Sequence, residues 1–187
     1  PFLSDALRFS FASRLDAAKI PFTTHRPSRS LYDEPAVRTV LTLARISHPS
    51  WGLLPGSQEV RMALALAIKE LDYARADLLS RTLYQRGNRD WSLNAFDTLK
   101  IDMQERITYR AGQQYEILRN WLFENKESGS SELDHWLSRL YGEVLSQPGF
   151  GFHTDYDAAA AIAPLIDSCR KFRNIYTPDD QSIPGKP

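Results

Sequence analysis

Asp33-Glu34-Pro35-Ala36-Val37-Arg38-Thr39-Val40-Leu41-Thr42-Leu43-Ala44 is the stretch that decides the fold class. Asp33 can cap a helix, Glu34 suits its positive end, and Pro35 is tolerated in a first turn whose N–H groups have no intrahelical partner. Val37, Leu41 and Ala44 then recur on one face, flanked by Val40, the spacing of an amphipathic helix. The helix should stop before His48-Pro49, because a residue preceding proline is pushed out of the α region.

The same signals repeat outward from this segment. Toward the C-terminus, Ser57 is read as the cap of an Ala- and Leu-rich helix to about Glu70, and Asp72 as the cap of another that carries Leu78, Leu79 and Leu83. Residues 85–100 are weakly periodic and read as loop with at most one helical turn, with a turn at Gly87-Asn88 and Trp91 as an anchor. Asp102 opens what reads as the longest helix, to Asn125, with Ile107, Ala111, Leu118 and Leu122 on one face. Ser131 and Asp134 resemble a capping box ahead of Trp136, Leu137, Leu140, Val144 and Leu145. A last helix is expected over residues 155–175, kinked at Pro164. Toward the N-terminus, Ser4 precedes Leu7, Phe11 and Leu15 in a helix to about Lys19, and Ile20-Pro21-Phe22-Thr23-Thr24 reads as an edge strand. The expected fold is mainly α: an irregular multi-helix domain of about seven helices with at most one or two short strands.

Composition narrows the function classes. The chain has 187 residues, 42% apolar and 25% charged, with a formal net charge of zero, so bulk charge points to neither nucleic acid nor cations. Cys169 is the sole cysteine, which excludes an internal disulfide and a Cys-rich zinc site and suits a reducing cytoplasm. It sits in an apolar helical pattern and reads as a small buried hydrophobe. No stretch approaches the roughly 20 apolar residues of a membrane-spanning helix, and no membrane partner is expected. With Pro1 in first place and a trailing Ile183-Pro184-Gly185-Lys186-Pro187, both ends read as cut points inside a longer chain.

Catalytic motifs are missing. There is no Gly-x-x-x-x-Gly-Lys-Ser/Thr loop, no Gly-x-Gly-x-x-Gly, no Gly-x-Ser-x-Gly and no His-x-x-x-His pair among His25, His48, His135 and His153. Neither a metal site nor a cofactor is expected within this chain. Two basic clusters remain. Arg26-Pro27-Ser28-Arg29 is a loop in which Arg26, Ser28 and Arg29 can meet phosphates or a neighbouring domain, or simply be solvated. Arg170-Lys171-Phe172-Arg173 closes the last helix, where Arg170, Lys171 and Arg173 either complement the macrodipole or contact DNA. Trp51, Trp91, Trp121 and Trp136 are base-stacking candidates or core anchors.

One resemblance goes further. The order helix, Ala18-Lys19-Ile20-Pro21-Phe22, basic loop, then Leu31-Tyr32-Asp33-Glu34-Pro35-Ala36-Val37 is similar to a part of UvrD/Rep-type superfamily 1 DNA helicases and their AddB-like relatives. In that family the helix closes on Gly-Ile-Pro-Phe/Tyr, and a later helix that begins with an acidic residue leads into the inserted 2B subdomain. Lys19 stands where the family usually has Gly, and Gly149-Phe150-Gly151-Phe152 does not match the Gly-Ile-Gly type duplex-contact motif. The resemblance implies a remnant of the second motor domain over residues 1–30, a helical 2B-like accessory domain over 31–176 and an exit tail over 177–187. It further implies that ATP and Mg are bound elsewhere in the parent helicase, and that the partners are DNA and the motor domains of the same chain. Such an accessory domain swings as a rigid body, with residues 26–30 and the tail after Tyr176 as hinge candidates. The alternative expectation is a stand-alone helical module that docks another protein.

Overall fold

The computed structural model describes residues 10–11, 13–15, 17–20, 31–86, 91–126 and 132–176. The chain divides into two compact units, Pro1–Ser30 and Leu31–Pro187. In the first, Ser10, Phe11, Ser13, Arg14, Leu15 and Ala17 are helical. The Ala18 N–H donates to the Arg14 carbonyl at 3.1 Å, and the Ile20 N–H to the Leu15 carbonyl at 3.0 Å. Lys19 closes this helix at φ 54°, the left-handed conformation that glycine adopts without strain at a helix end. The edge strand expected at Ile20–Thr24 finds no regular structure at Ile20, and its remainder lies outside the described residues.

The second unit is built around α1, Pro35–Ser47. Val37, Val40, Leu43 and Ala44 are fully buried, with Ala36 and Ile46 nearly so. Burial on so many sides marks a central helix. The helix packs on α2 (Ser57–Ala67), α5 (Tyr109–Glu124), α6 (Leu133–Leu140) and α7 (Tyr156–Tyr176). Leu41, expected in the apolar stripe, is only half-buried, and the N-cap is Glu34 rather than Asp33. The Pro35 ring fits the first turn, which sets the boundary at the residue before it.

Further along, α2 is entered through Gly56, whose N–H donates to the Glu59 carboxylate at 2.8 Å, so the cap precedes Ser57. Asp72 caps α3 (Tyr73–Leu83) as read, accepting from the Arg75 N–H at 2.8 Å, a contact worth about 1 kcal/mol. Within the segment 85–100, read as loop, lie most of two short strands: β1 (Tyr84–Arg86) pairs antiparallel with β2 (Trp91–Leu93). The expected helix over 102–125 is two helices, α4 (Ile101–Glu105) and α5. Thr108 separates them, its hydroxyl accepting from the Ala111 N–H at 3.3 Å. The longest helix is therefore α7, whose 21 residues continue through Pro164, which faces solvent. After α6 the chain runs into a π-helical turn, Tyr141–Leu145, closed by the Ser146 N–H on the Tyr141 carbonyl at 2.9 Å.

The turn after it ties back to α2. Phe150 bridges Ile68, and the Gly151 N–H donates to the Ala67 carbonyl at 2.8 Å. The approach is so close that a side chain at Gly151 would collide with the Leu66 carbonyl oxygen. That contact, rather than any ligand, accounts for a glycine at this position.

Two tyrosines lock the hairpin to the helices. Tyr84 donates to the Pro55 carbonyl at 2.7 Å and Tyr115 to the Asn94 carbonyl at 2.8 Å. Burial, with smaller effects from the Arg45 and Glu59 charges, pushes the Tyr84 phenol up from 10 to about 12, and burial pushes Tyr115 the same way. A raised folded-state value means that the neutral phenol's stabilisation is whole below pH 10 and lost as pH rises through about 12. Urea unfolding across that window should show stability falling with pH, and Tyr84→Phe should flatten the fall. An unchanged slope in the variant would remove Tyr84 from the cause.

Candidate functional site

The candidate DNA-contact residues divide by location. Arg26, Ser28 and Arg29 lie outside the described residues. Arg170, Lys171 and Arg173 lie in α7, where Lys171 is exposed. The two arginines face α6. Arg170 Nε is 3.5 Å from Asp134 Oδ2, and its Nη1 is 3.5 Å from Asp167 Oδ1. Arg173 Nη1 is 3.4 Å from Asp134 Oδ1 and also contacts Glu132. Asp134 is only 1% exposed. A carboxylate so far from water needs charged partners, and the two guanidiniums supply them. Their charge is engaged within the fold, which reduces what they offer a phosphate.

Asp134 thus differs from its sequence reading. Ser131 lies outside the described residues, the N-cap position is held by Glu132, and the Asp134 side chain turns toward α7 instead of back to the helix start. Glu132, Asp134 and His135 each bring one ligand-type atom within 4.8 Å of the others. A cation there would compete with Arg170 and Arg173 for the same oxygens, so the group acts as an interhelical clamp. Cys169, half-buried on α7, has its thiol pushed up by burial and by the Asp134 charge. Activation of a thiol requires the reverse.

A second arrangement joins α1, α5 and α6 through aromatic rings. Trp51 stacks on His48 with centroids 4.5 Å apart and planes 14° apart. His48 meets Trp136 edge-on at 5.2 Å, and Trp136 meets Trp121 edge-on at 5.3 Å. Nδ1 of His48 lies 2.9 Å from the Ala44 carbonyl oxygen, so that nitrogen carries a proton. Trp136 Nε1 donates to the Asn125 carbonyl at 3.1 Å, and Trp121 Nε1 to Glu143 at 2.7 Å. Glu143, brought here by the π-helical turn, also pairs with Arg139 at 2.8 Å, and that guanidinium sits 5.8 Å from the Trp121 ring. The Arg139 hydrogen bond, then that of Trp121, holds the Glu143 carboxyl below its usual range. The ladder runs from the exposed Trp51 through the buried Trp136 to the half-buried Trp121; the Trp91 side chain lies outside the described set.

The loop that carries Trp51 is pinned. Arg45 reaches the carbonyls of Leu53 and Leu54 and pairs with Glu59 at 2.8 Å. Burial pushes the Glu59 carboxyl up, but the hydrogen bonds from Arg45 and Gly56 outweigh it and leave a net lowering. Across the unit, Glu59 and Glu143 are held down while Tyr84, Tyr115, Tyr141 and Cys169 are pushed up. Each of these shifts leads away from neutral pH, whereas a catalytic acid–base pair is tuned toward it. Comparison with protein families, with curated proteins and with solved structures returns no match.

Proposed function

We propose that the chain is the helical accessory region of an ATP-driven DNA helicase of the UvrD/Rep type, in which residues 1–30 belong to the second motor domain and residues 31–176 form a 2B-like domain that assists or regulates unwinding. The observation that carries this reading is Lys19. The family closes this helix with glycine, and here the residue at that position has φ 54°, a backbone state that costs a side-chain-bearing residue about 1 kcal/mol. A glycine would adopt that backbone without the cost. The division between Ser30 and Leu31 supports the same boundary. ATP and Mg belong to the motor domains of the parent chain in this reading, and DNA is its partner.

Fluorescence anisotropy on a single-strand/duplex junction tests it. The isolated chain should hydrolyse no ATP and should bind DNA weakly, with affinity falling steeply as salt rises. Arg26→Ala/Arg29→Ala should weaken binding and flatten the salt dependence. Equal affinity of that variant and the parent would remove the basic loop from the DNA path.

One observation favours a protein-docking module as the second reading. The Arg45-pinned loop presents Trp51, 40% exposed, and Leu53, 61% exposed. A rigid tryptophan beside an aliphatic side chain is a common centre of protein interfaces.

A further inference from the structure

A pocket opens where the end of α1, strand β2 and the last turns of α5 meet. Its volume is about 160 Å³, close to the roughly 150 Å³ cavity known to accept benzene, so it has room for one six-membered ring. Leu93 and Leu122 form an apolar floor, and Phe123 stands at the rim, 70% exposed. Five polar residues line it: Ser47, whose hydroxyl donates to the Leu122 carbonyl at 3.3 Å, and Ser92, Asn94, Arg119 and Lys126. Arg119 is held in place by the Leu93 carbonyl at 3.0 Å, by the Asn120 side chain at 2.9 Å and by the Glu116 carboxylate at 3.5 Å, so its charge is engaged within the fold. Among the described residues, Ser92, Asn94 and Lys126 spend no side-chain hydrogen bond or ion pair on the fold, although all three are half-buried. The backbone around them is firm, since the Asn94 N–H donates to the Leu83 carbonyl at 2.8 Å and the Asn94 carbonyl accepts from Tyr115 at 2.8 Å.

We infer that this pocket binds one pyrimidine nucleotide, with the base against Phe123 and the phosphate at Lys126. Each part of the chemistry has a counterpart. An exposed aromatic face stacks a base of any sequence. An amide carries both a donor and an acceptor, as the pairing edge of a pyrimidine requires. Lys126, which has no ion pair among the described residues, meets the phosphate at the rim. The nucleotide is either free or one residue of a single strand. The single-strand form rests on the helicase reading, and the pocket assignment does not.

The test uses the whole chain with two probes, thymidine monophosphate by calorimetry and a short fluorescein-labelled oligothymidylate by anisotropy. Phe123→Ala and Asn94→Ala alter side chains that the fold does not use, and circular dichroism checks each variant. The expected result is binding of the oligonucleotide weakened roughly tenfold by Phe123→Ala, with a salt slope reduced by about one in Lys126→Gln. Binding of the monophosphate alone, lost in the same variants, supports the pocket as a free-nucleotide site and detaches it from the helicase reading. If neither probe binds at millimolar concentration, or if all three variants bind as the parent does, the assignment is overturned.

Discussion

Arg170→Ala/Arg173→Ala is expected to destabilise the protein by about 3–5 kcal/mol, the cost of leaving a buried charge without its partners. The argument turns on Asp134, which is 1% exposed and whose Oδ2 has no hydrogen bond among the described residues. Its oxygens face Arg170 at 3.5 Å and Arg173 at 3.4 Å. The arginines are themselves partly solvated, at 50% and 25% exposure, so truncating them strands the carboxylate rather than the cations. For a chain of this size the loss corresponds to a melting temperature lowered by about 6–20 °C. Adding Asp134→Asn should return much of the stability, because the neutral amide has no charge to strand. Thermal unfolding of the double and triple variants checks both statements. A double variant that melts with the parent would free Arg170 and Arg173 from structural duty and restore them as DNA-contact candidates.

Trp136→Ala is the second large effect, at about 3–5 kcal/mol. Trp136 is 1% exposed and lies between His48 and Trp121 in the ladder. Truncation opens a cavity among α1, α5 and α6 and leaves the Asn125 carbonyl without the indole N–H that it accepts at 3.1 Å. Trp51→Ala, at the exposed end of the same ladder, should cost less than about 1 kcal/mol because its outer face already meets water. Denaturant titration of the two variants separates them. Equal losses would mean that the ladder acts as one unit, with Trp51 as much a part of the core as Trp136.

The contrast between these tryptophans shows what the sequence carried. Helices were legible where a stripe and a cap coincide: α1 announces itself through Val37, Val40 and Ala44, and α3 through Asp72. The hairpin was not legible, because strands of three residues hold no period to detect. The break at Thr108 hid behind a continuous apolar face, since Ile107, Ala111, Leu118 and Leu122 are all buried even though the helix stops and restarts among them. The π-helical turn left no mark in the pattern, yet it places Glu143 against Trp121 and Arg139.

The candidate site was harder still. Asp134, read as the partner of Ser131 in a capping box, takes its role from α7, some 36 residues on, and no local signal links it to Arg170. The pocket of Ser92, Asn94, Arg119 and Lys126 joins a segment read as loop to the end of α5. Only the hairpin, invisible in the sequence, brings them together. By contrast, the close of the first helix near Lys19 was legible in the residue pattern, and Lys19 ends it in the left-handed conformation.

The coding sequence that flanks the Pro1 and Pro187 codons tests the helicase account most directly. The account predicts, upstream and in the same reading frame, a Gly-x-x-x-x-Gly-Lys-Ser/Thr phosphate loop followed by an acidic Mg-binding box. A start codon immediately before Pro1 with no such loop in frame would contradict it and leave a helical docking module.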